Sequence, residues 1–352
     1  MALPNLPRAR RVLKILVIFL VGAVLLNLAF RLYNFANLFG FFKHHSGTLL
    51  NQREILDAYN AHQLLKDTTA EPVIPKILHQ VYHNWTDPES AVLTLPGDWE
   101  AARQSCIALN PDWEYKLWTA KVSREFIEYE FPWFLSTYDS YKFPIQRIDV
   151  IRYFALRHFG GIYIDLDNGC LQSLDAITYF PAFTTDGGHG TLSNNIIGGQ
   201  PGHPFFHFLT ESLMAWNWNW ILPYVIVSYT SGQWFVTAMW EEYHRLLSSD
   251  GTVKGFDSGR WHPLHHILMD MRPDQPDPYI FWNQQHGGTW DNWDSAWFGW
   301  IGSHIGLVIE EVLGSIALVA LVITSCVWGC RYYAARRRRT HGHKKVEIHD
   351  TL

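Results

Sequence analysis

The segment Phe159-Gly160-Gly161-Ile162-Tyr163-Ile164-Asp165-Leu166-Asp167 constrains the fold of this 352-residue chain more than any other. Ahead of it, Gln146 to His158 reads as a helix, because Ile148, Ile151, Ala155 and Phe159 recur at helical spacing. Two glycines stop that helix and a short apolar strand follows. In an extended segment, positions i and i+2 point to the same side. Asp165 and Asp167 are therefore expected to aim at one point, with Leu166 buried behind them. Two hard oxygen ligands at a strand end suit a divalent cation such as Mg²⁺ or Mn²⁺, which in turn can hold a diphosphate. The alternation of strand and helix predicts an α/β layer with a largely parallel sheet, in which ligands sit beyond the carboxyl ends of the strands.

Other elements are legible around this centre. Ile74 to Tyr82 reads as a first strand and Trp113 to Trp118 as a second, with a turn at Leu109 to Asp112 between them. Ser123 to Glu130 suggests a helix with Ser123 as its cap. Gln52 to Leu65 is an amphipathic helical stretch within what reads as a stalk.

Charge is distributed unevenly. The two ends, 1–14 and 331–352, hold eleven of the 28 basic residues and two of the 33 acidic ones, which leaves 17 basic against 31 acidic side chains between them. An acidic body excludes a nucleic-acid binder, which needs to neutralise phosphates with the body itself. The basic ends adjoin apolar runs, Ile15 to Phe30 and Val312 to Cys330. With flanking residues each run approaches the roughly 20 residues of a membrane span. The first can also be read as a cleaved signal peptide, although no small-residue cleavage site follows it. The second can be read as a buried core helix, but the abrupt Arg336 to Arg339 run argues for a stop-transfer segment.

The expected organisation is a basic tail over 1–12, a transmembrane helix over 13–32, a stalk over 33–71, a lumenal domain over 72–303, a second transmembrane helix with a short lead-in over 304–330, and a basic tail over 331–352. Positive charge on the outer flanks places both termini in the cytosol. A lumenal body is in an oxidising compartment, where Cys106 and Cys170 can pair or remain free thiols. Cys326 and Cys330 fall in the second span, and Cys330 is either a plain thiol or an acylation site at its edge. Asn84-Trp85-Thr86 is a glycosylation acceptor on the lumenal side.

A lone Asp-x-Asp is weak evidence, but here it has company. Asp149 and Arg152 lie one turn apart on the preceding helix, and Tyr163 stands two positions before Asp165. The order Asp-x-x-Arg then Tyr-x-Asp-x-Asp, together with 74–82 (IPKILHQVY), 110–118 (NPDWEYKLW), 146–175 and 194–206, resembles glycosyltransferase family 32, and within it the fungal inositol phosphoceramide mannosyltransferases. That resemblance implies a GT-A, Rossmann-like α/β domain flanked by membrane helices. It implies a retaining mannosyl transfer from GDP-mannose to inositol phosphoceramide in the Golgi membrane. The implied cofactor is Mn²⁺, with Mg²⁺ or Ca²⁺ as alternatives, and the implied partners are membrane lipids and a regulatory subunit.

Residue by residue, the resemblance makes Asp167 the direct metal ligand and places Asp165 against the sugar or ribose and the metal shell. Asp149 and Arg152 would hold the sugar hydroxyls and the diphosphate, Tyr163 would pack near the nucleotide, and Asn194 would lie near the anomeric carbon. The other reading of Asp149 and Arg152 is an exposed helical ion pair of little worth. In His286-Gly287-Gly288-Thr289-Trp290, the hydroxyl of Thr289 and the indole of Trp290 would close over the phosphates, and His286 is a further metal candidate. The Gly232-Gln233 region departs from the family's usual Thr-Gly-Pro.

Three further features are weighed. The His262 to His266 stretch is either a second metal site or a solvent-facing loop. Trp216, Trp218, Trp220, Trp293, Trp297 and Trp300 are expected to lie against the lumenal leaflet, the competing reading for the first three being aromatic core. Rival functions are a Golgi mannosyltransferase acting on protein N-glycans and a catalytically silent membrane subunit.

Overall fold

The computed structural model describes residues 18–27, 29–30, 33, 45–65, 71–84, 95, 97–186, 191–219, 221–247, 264–269, 280–284, 287 and 292–347. Its strands are β1 (Thr48–Leu50), β2 (Ile77–Val81), β3 (Glu114–Trp118), β4 (Gly161–Ile164), β5 (Asn168–Cys170), β6 (Ala182–Asp186), β7 (Leu192–Gly199), β8 (His265–Ile267) and β9 (Trp282–Gln284). Seven of them form one sheet in the order β1-β8-β6-β7-β4-β2-β3, and β5 pairs with β9 in a second. The main sheet is mixed rather than uniformly parallel. β2 runs parallel to β3 and β4, and β8 parallel to β1 and β6, but β7 lies antiparallel between β4 and β6. That reversal matters for the site. It brings the first half of β7 beside the carboxyl end of β4, where the Asp165 N–H donates to the Asn195 carbonyl at 2.8 Å.

The helices of this unit are α1 (Gln52–Leu65), α2 (Gly97–Leu109), α3 (Ala120–Glu130), α4 (Leu135–Ser140), α5 (Pro144–Phe159), α6 (Pro204–Trp216), α7 (Pro223–Thr230) and α8 (Gln233–Leu246). Helix α5 is the central one. Pro144 opens it, where a missing N–H costs nothing, and the Phe143 N–H donates back to Gln146 Oε1 at 2.9 Å. The spacing of Ile148, Ile151, Ala155 and Phe159 suggests a single apolar face. Instead the run from Asp149 to Leu156 is buried throughout, because α5 is wedged between the sheet and helices α6 and α7.

Gly160 and Gly161 end α5 with φ of 65° and 96°, a region where a side chain is strained. Space also requires glycine there. A Cβ on Gly161 would stand 2.5 Å from the Ile77 carbonyl, and one on Gly160 would stand 2.6 Å from the Pro201 nitrogen.

Two cores form, one on each side of β4. Ile162 and Ile164 join Leu78, Ile196 and the Cys106–Cys170 pair, while Tyr163 joins Val81, Phe154 and Ile197. The alternation is that of a strand buried on both faces. Cys106 of α2 and Cys170 of β5 form a disulfide, which ties the strand after the aspartates to the helix above it.

Several expectations are corrected. Residues 48–65 are not stalk. β1 adds the edge strand beside β8, and Gln52 of α1 is buried, donating to the Leu268 carbonyl at 2.8 Å and accepting from the Phe281 N–H at 3.0 Å. Ser123 does not cap α3. Thr119 does, accepting from the Val122 N–H at 3.4 Å, and Ser123 lies one turn inside, its hydroxyl against His83 Nε2 at 3.0 Å. Trp216 and Trp218 are half-buried and pack on Tyr229 at 4.6 and 4.9 Å, and Trp220 lies outside the described residues.

Contact clustering divides the chain into residues 1–292 and 293–352. The second unit consists of α9 (Ser295–Ser303) and α10 (Ile305–Glu347), and it carries the exposed Trp293, Trp297 and Trp300. Within α10, Gly306–Tyr333 is a 28-residue apolar stretch with none of its strongest window buried. At about 1.5 Å per residue it exceeds the ~30 Å thickness of a hydrocarbon core. It is the one helix of spanning length and composition among the described residues. Of the first apolar run, the helix Ile18–Asn27 is described, while residues 15–17 and 28 lie outside the described residues.

The two constraints on Gly161 separate experimentally. Gly161→Ala meets both strain and clash, whereas at Gly202, with φ of 66°, the nearest atom to a Cβ is 4.0 Å away. Gly202→Ala should therefore cost about 1 kcal/mol and Gly161→Ala at least about 2 kcal/mol in denaturant unfolding. Equal costs would show that crowding against Ile77 plays no part.

Candidate active site

The site forms where β4 ends. Asp165 follows the last strand residue, and the chain then turns, with the Asn168 N–H donating to the Asp165 carbonyl at 3.0 Å. The two aspartates thus sit on a tight turn between β4 and β5, not on a continuous strand. Leu166 between them is buried, as expected.

Arg152 organises the surroundings. It lies on α5, only 2% exposed, directly above β4. Its NH2 meets Asp149 Oδ1 at 3.1 Å, its NH1 meets Asp165 Oδ1 at 3.1 Å, and NH1 also donates to the Asn194 carbonyl at 2.6 Å. The guanidinium carbon stands 4.5 Å from the centre of the Tyr163 ring. Burial opposes its charge, but Asp165, Tyr163 and Asp149 hold its pKa above the ordinary arginine value. The helical pair is therefore no exposed ion pair but a buried clamp from helix to sheet. Breaking one partner of such a pair costs several kcal/mol, on the order of 3–5.

Tyr163 is also buried, and its hydroxyl donates to Asp165 Oδ1. The ring is a pillar beneath Arg152, because β4 turns it toward α5 and not toward solvent.

Asp149 accepts from three groups, Arg152, Asn194 Nδ2 at 2.9 Å and Ser231 Oγ at 2.9 Å. Burial nevertheless pushes its pKa up to about 6. Asp167 differs. Its Oδ1 accepts from Asn168 Nδ2 at 2.7 Å, and Oδ2 has no hydrogen-bond partner among the described residues. Burial, then the nearby Asp165 carboxylate, push its pKa up to about 7. Asp165 is already engaged by Arg152 and Tyr163, so the free acceptor of the pair is Asp167. A half-buried carboxylate with a neutral partner and a like charge beside it lacks positive charge. The donor set fits a hard divalent cation held directly by Asp167, with Asp165 behind it.

Gly287 closes over this carboxylate, since a Cβ there would collide with Asp167 Oδ2. The loop that contains the expected contacts thus reaches Asp167, although His286, Thr289 and Trp290 themselves lie outside the described residues. Asn194 joins the site from β7. Asn84 is described and half-buried, while Thr86 of its acceptor motif is not described.

The second metal site is not assembled. His266 pairs with Asp186 at 3.0 Å, His265 packs on Phe180 at 5.1 Å, His262 lies outside the described residues, and no group of three ligating side chains converges among those described. Tyr153, Asn168 and Ser231 are site residues that sequence reasoning misses. Only the departure at Gly232-Gln233 marked that region in advance.

Comparison with known proteins agrees with this geometry. Residues 96–184 match the family model described as "Glycosyltransferase sugar-binding region containing DXD motif". Inositol phosphoceramide mannosyltransferase 3 of Schizosaccharomyces pombe is 34% identical over 264 residues, covering 75% of this chain and 67% of that protein. The chain belongs to the DXD-containing glycosyltransferase family of the inositol phosphoceramide mannosyltransferases.

Two further relatives are similar. Inositol phosphoceramide mannosyltransferase 2 of the same yeast is 38% identical over 70% of this chain and 66% of its own length. Mannosyl phosphorylinositol ceramide synthase CSH1 of Saccharomyces cerevisiae is 44% identical over 74% of this chain and 66% of its own. The chain therefore spans about two thirds of these curated relatives. In this family the Asp-x-Asp is the motif that names the sugar-binding region, and here it is the turn beneath the Arg152 clamp.

Protons and a cation compete for Asp167. With a folded pKa raised from 3.8 to about 7, the metal-free fold binds a proton that the unfolded chain releases, so its stability falls as pH climbs through that window. A cation requires the deprotonated form. Mn²⁺ should therefore raise the melting temperature more at about pH 8 than at about pH 5.5, and Asp167→Asn should abolish the difference. A shift independent of pH, or one that survives Asp167→Asn, would place the cation elsewhere.

Proposed function

We propose that this chain is a metal-dependent, retaining GT-A glycosyltransferase that moves mannose from GDP-mannose to the inositol of inositol phosphoceramide. The observation that carries the reading is the division of labour among three carboxylates. Arg152 clamps Asp149 and Asp165, while Asp167 Oδ2 has no hydrogen-bond partner among the described residues. The printed names of the relatives supply the sphingolipid acceptor and the mannose.

Asp167, with Asp165 behind it, would hold Mn²⁺, which when bound supplies Lewis-acid neutralisation of the leaving diphosphate. The chain's own residues do the rest. Arg152 is charged and held in place, so it orients Asp165 behind Asp167 and fixes the wall of the site. Gly287 permits the adjoining loop to approach, and Thr289 and Trp290 would donate to the phosphates from that loop.

Retention is what the family resemblance implies, and the carboxylates narrow how it would occur. Asp149 is buried under three hydrogen bonds, Asp165 is held by Arg152 and Tyr163, and Asp167 would hold the cation. None is left to attack the anomeric carbon. The acceptor oxygen therefore bonds that carbon on the face the phosphate leaves. The carbon–phosphate oxygen bond breaks, and the acceptor's proton passes to the leaving phosphate oxygen.

The apolar stretch Gly306–Tyr333 would anchor the enzyme in the Golgi membrane, with the catalytic unit in the lumen and the Arg336 to Arg339 tail in the cytosol. The Cys106–Cys170 disulfide supports a lumenal catalytic unit, since such bonds persist in oxidising compartments. A membrane regulatory subunit would act beside it.

Purified full-length protein, assayed with several sugar nucleotides against inositol phosphoceramide in vesicles, tests this directly. GDP-mannose with Mn²⁺ should give mannosylated lipid, and Asp167→Asn should reduce the rate by at least about a hundredfold while the protein stays folded. Transfer to an N-glycan but not to the lipid would sink the acceptor assignment. Absence of turnover with every donor would favour a silent subunit.

A further inference from the structure

Tyr153 lies one turn beyond Asp149 on α5, fully buried, and belongs to no motif. Its hydroxyl sits 2.6 Å from the Ser231 carbonyl and 2.8 Å from the Asn194 carboxamide. Hydrogen-bond accounting fixes every proton in this triangle. A carbonyl only accepts, so the single Tyr153 O–H donates to Ser231. The phenol oxygen then has only lone pairs for Asn194, so the Asn194 atom facing it is the amide nitrogen. The other N–H of that amide donates to Asp149 Oδ1 at 2.9 Å. Both amide hydrogens are committed to buried partners, and the carboxamide cannot flip without placing its oxygen against the Tyr153 lone pairs. Asn194 Oδ1, on the half-buried side of the residue, has no partner among the described residues and is not an enclosed atom.

We propose that Tyr153 is a positioning residue that locks Asn194 in one orientation, so that Asn194 offers the reaction a hydrogen-bond acceptor and not a donor. The ligand group it takes is a hydroxyl, either of the transferred sugar or of the incoming acceptor. This deepens the proposed function and rests on it. It also explains why Tyr153 spans two elements distant in sequence. Its bond to the Ser231 carbonyl orients the hydroxyl so that the oxygen lone pairs face Asn194.

Tyr153→Phe, Asn194→Ala and the double variant test the idea in the full-length enzyme. Tyr153→Phe keeps the buried ring and should lower kcat for transfer by about tenfold to a hundredfold. In the Asn194→Ala background the same change should add no further loss, because the phenol acts through Asn194. Equal losses that multiply in the double variant would mean a merely structural role and overturn the proposal, as would Tyr153→Phe at wild-type kcat. Donor hydrolysis separates the two hydroxyl sources. If it falls together with transfer and the KM for GDP-mannose rises, the hydroxyl belongs to the sugar. If hydrolysis and that KM hold while transfer falls, it belongs to the acceptor.

Should Tyr153→Phe not be recovered as folded protein, Asn194→Ala alone decides, since wild-type transfer in that variant would overturn the proposal. A wild-type enzyme inert toward every donor would instead sink the proposed function, a different result from an active wild type with unaffected variants.

Discussion

The structure depends on a buried guanidinium. Arg152 is enclosed between α5 and β4, and its charge is tolerable there only because Asp149, Asp165, the Asn194 carbonyl and the Tyr163 ring surround it. Each of these groups comes from a different requirement of the fold. Asp149 shares a helix face with Arg152, Asp165 follows β4, and Asn194 arrives because β7 runs backwards. The clamp thus reports that helix, strand and reversed strand are in register. It also uses up two of the three carboxylates, which leaves Asp167 as the site's open acceptor.

The turn that carries Asp167 is braced from both sides. Behind it, β5 is joined to α2 by the Cys106–Cys170 disulfide and to β9 by an antiparallel pairing. Beyond β9 the chain reaches Gly287, which lies against the Asp167 carboxylate. A cation site of this kind needs its ligand held in place before the ion arrives, and here the bracing comes from segments more than a hundred residues apart, Asn168 to Cys170 and Trp282 to Gln284.

The elements legible in the sequence are those with a local cause. The helix ending at Gly160-Gly161, the strands near 77–81 and 114–118 and the Asp-x-Asp follow from periodicity and backbone freedom. The reversed course of β7 is not legible, because a strand buried on both faces reads the same in either direction. β1 and β8 are three residues each, too short for a pattern. The Asp-x-x-Arg spacing pointed to the clamp, but its burial was invisible, since burial is set by α6 and α7 packing over α5. Tyr153 and Ser231 escaped notice because their role is a contact between residues 78 apart in sequence, carried by a backbone carbonyl that no residue identity reveals.

On this reading the Arg152 clamp and the Asp167 carboxylate would together bind a nucleotide diphosphate through a cation. Calorimetric titration of GDP-mannose into the full-length protein, with and without Mn²⁺, tests it most directly when repeated on Arg152→Lys, which keeps the charge but loses the fork that spans Asp149 and Asp165. Binding is expected only with Mn²⁺, and weakened at least about tenfold in the variant. Equal affinity with and without the metal, or an unchanged affinity in Arg152→Lys, would contradict it.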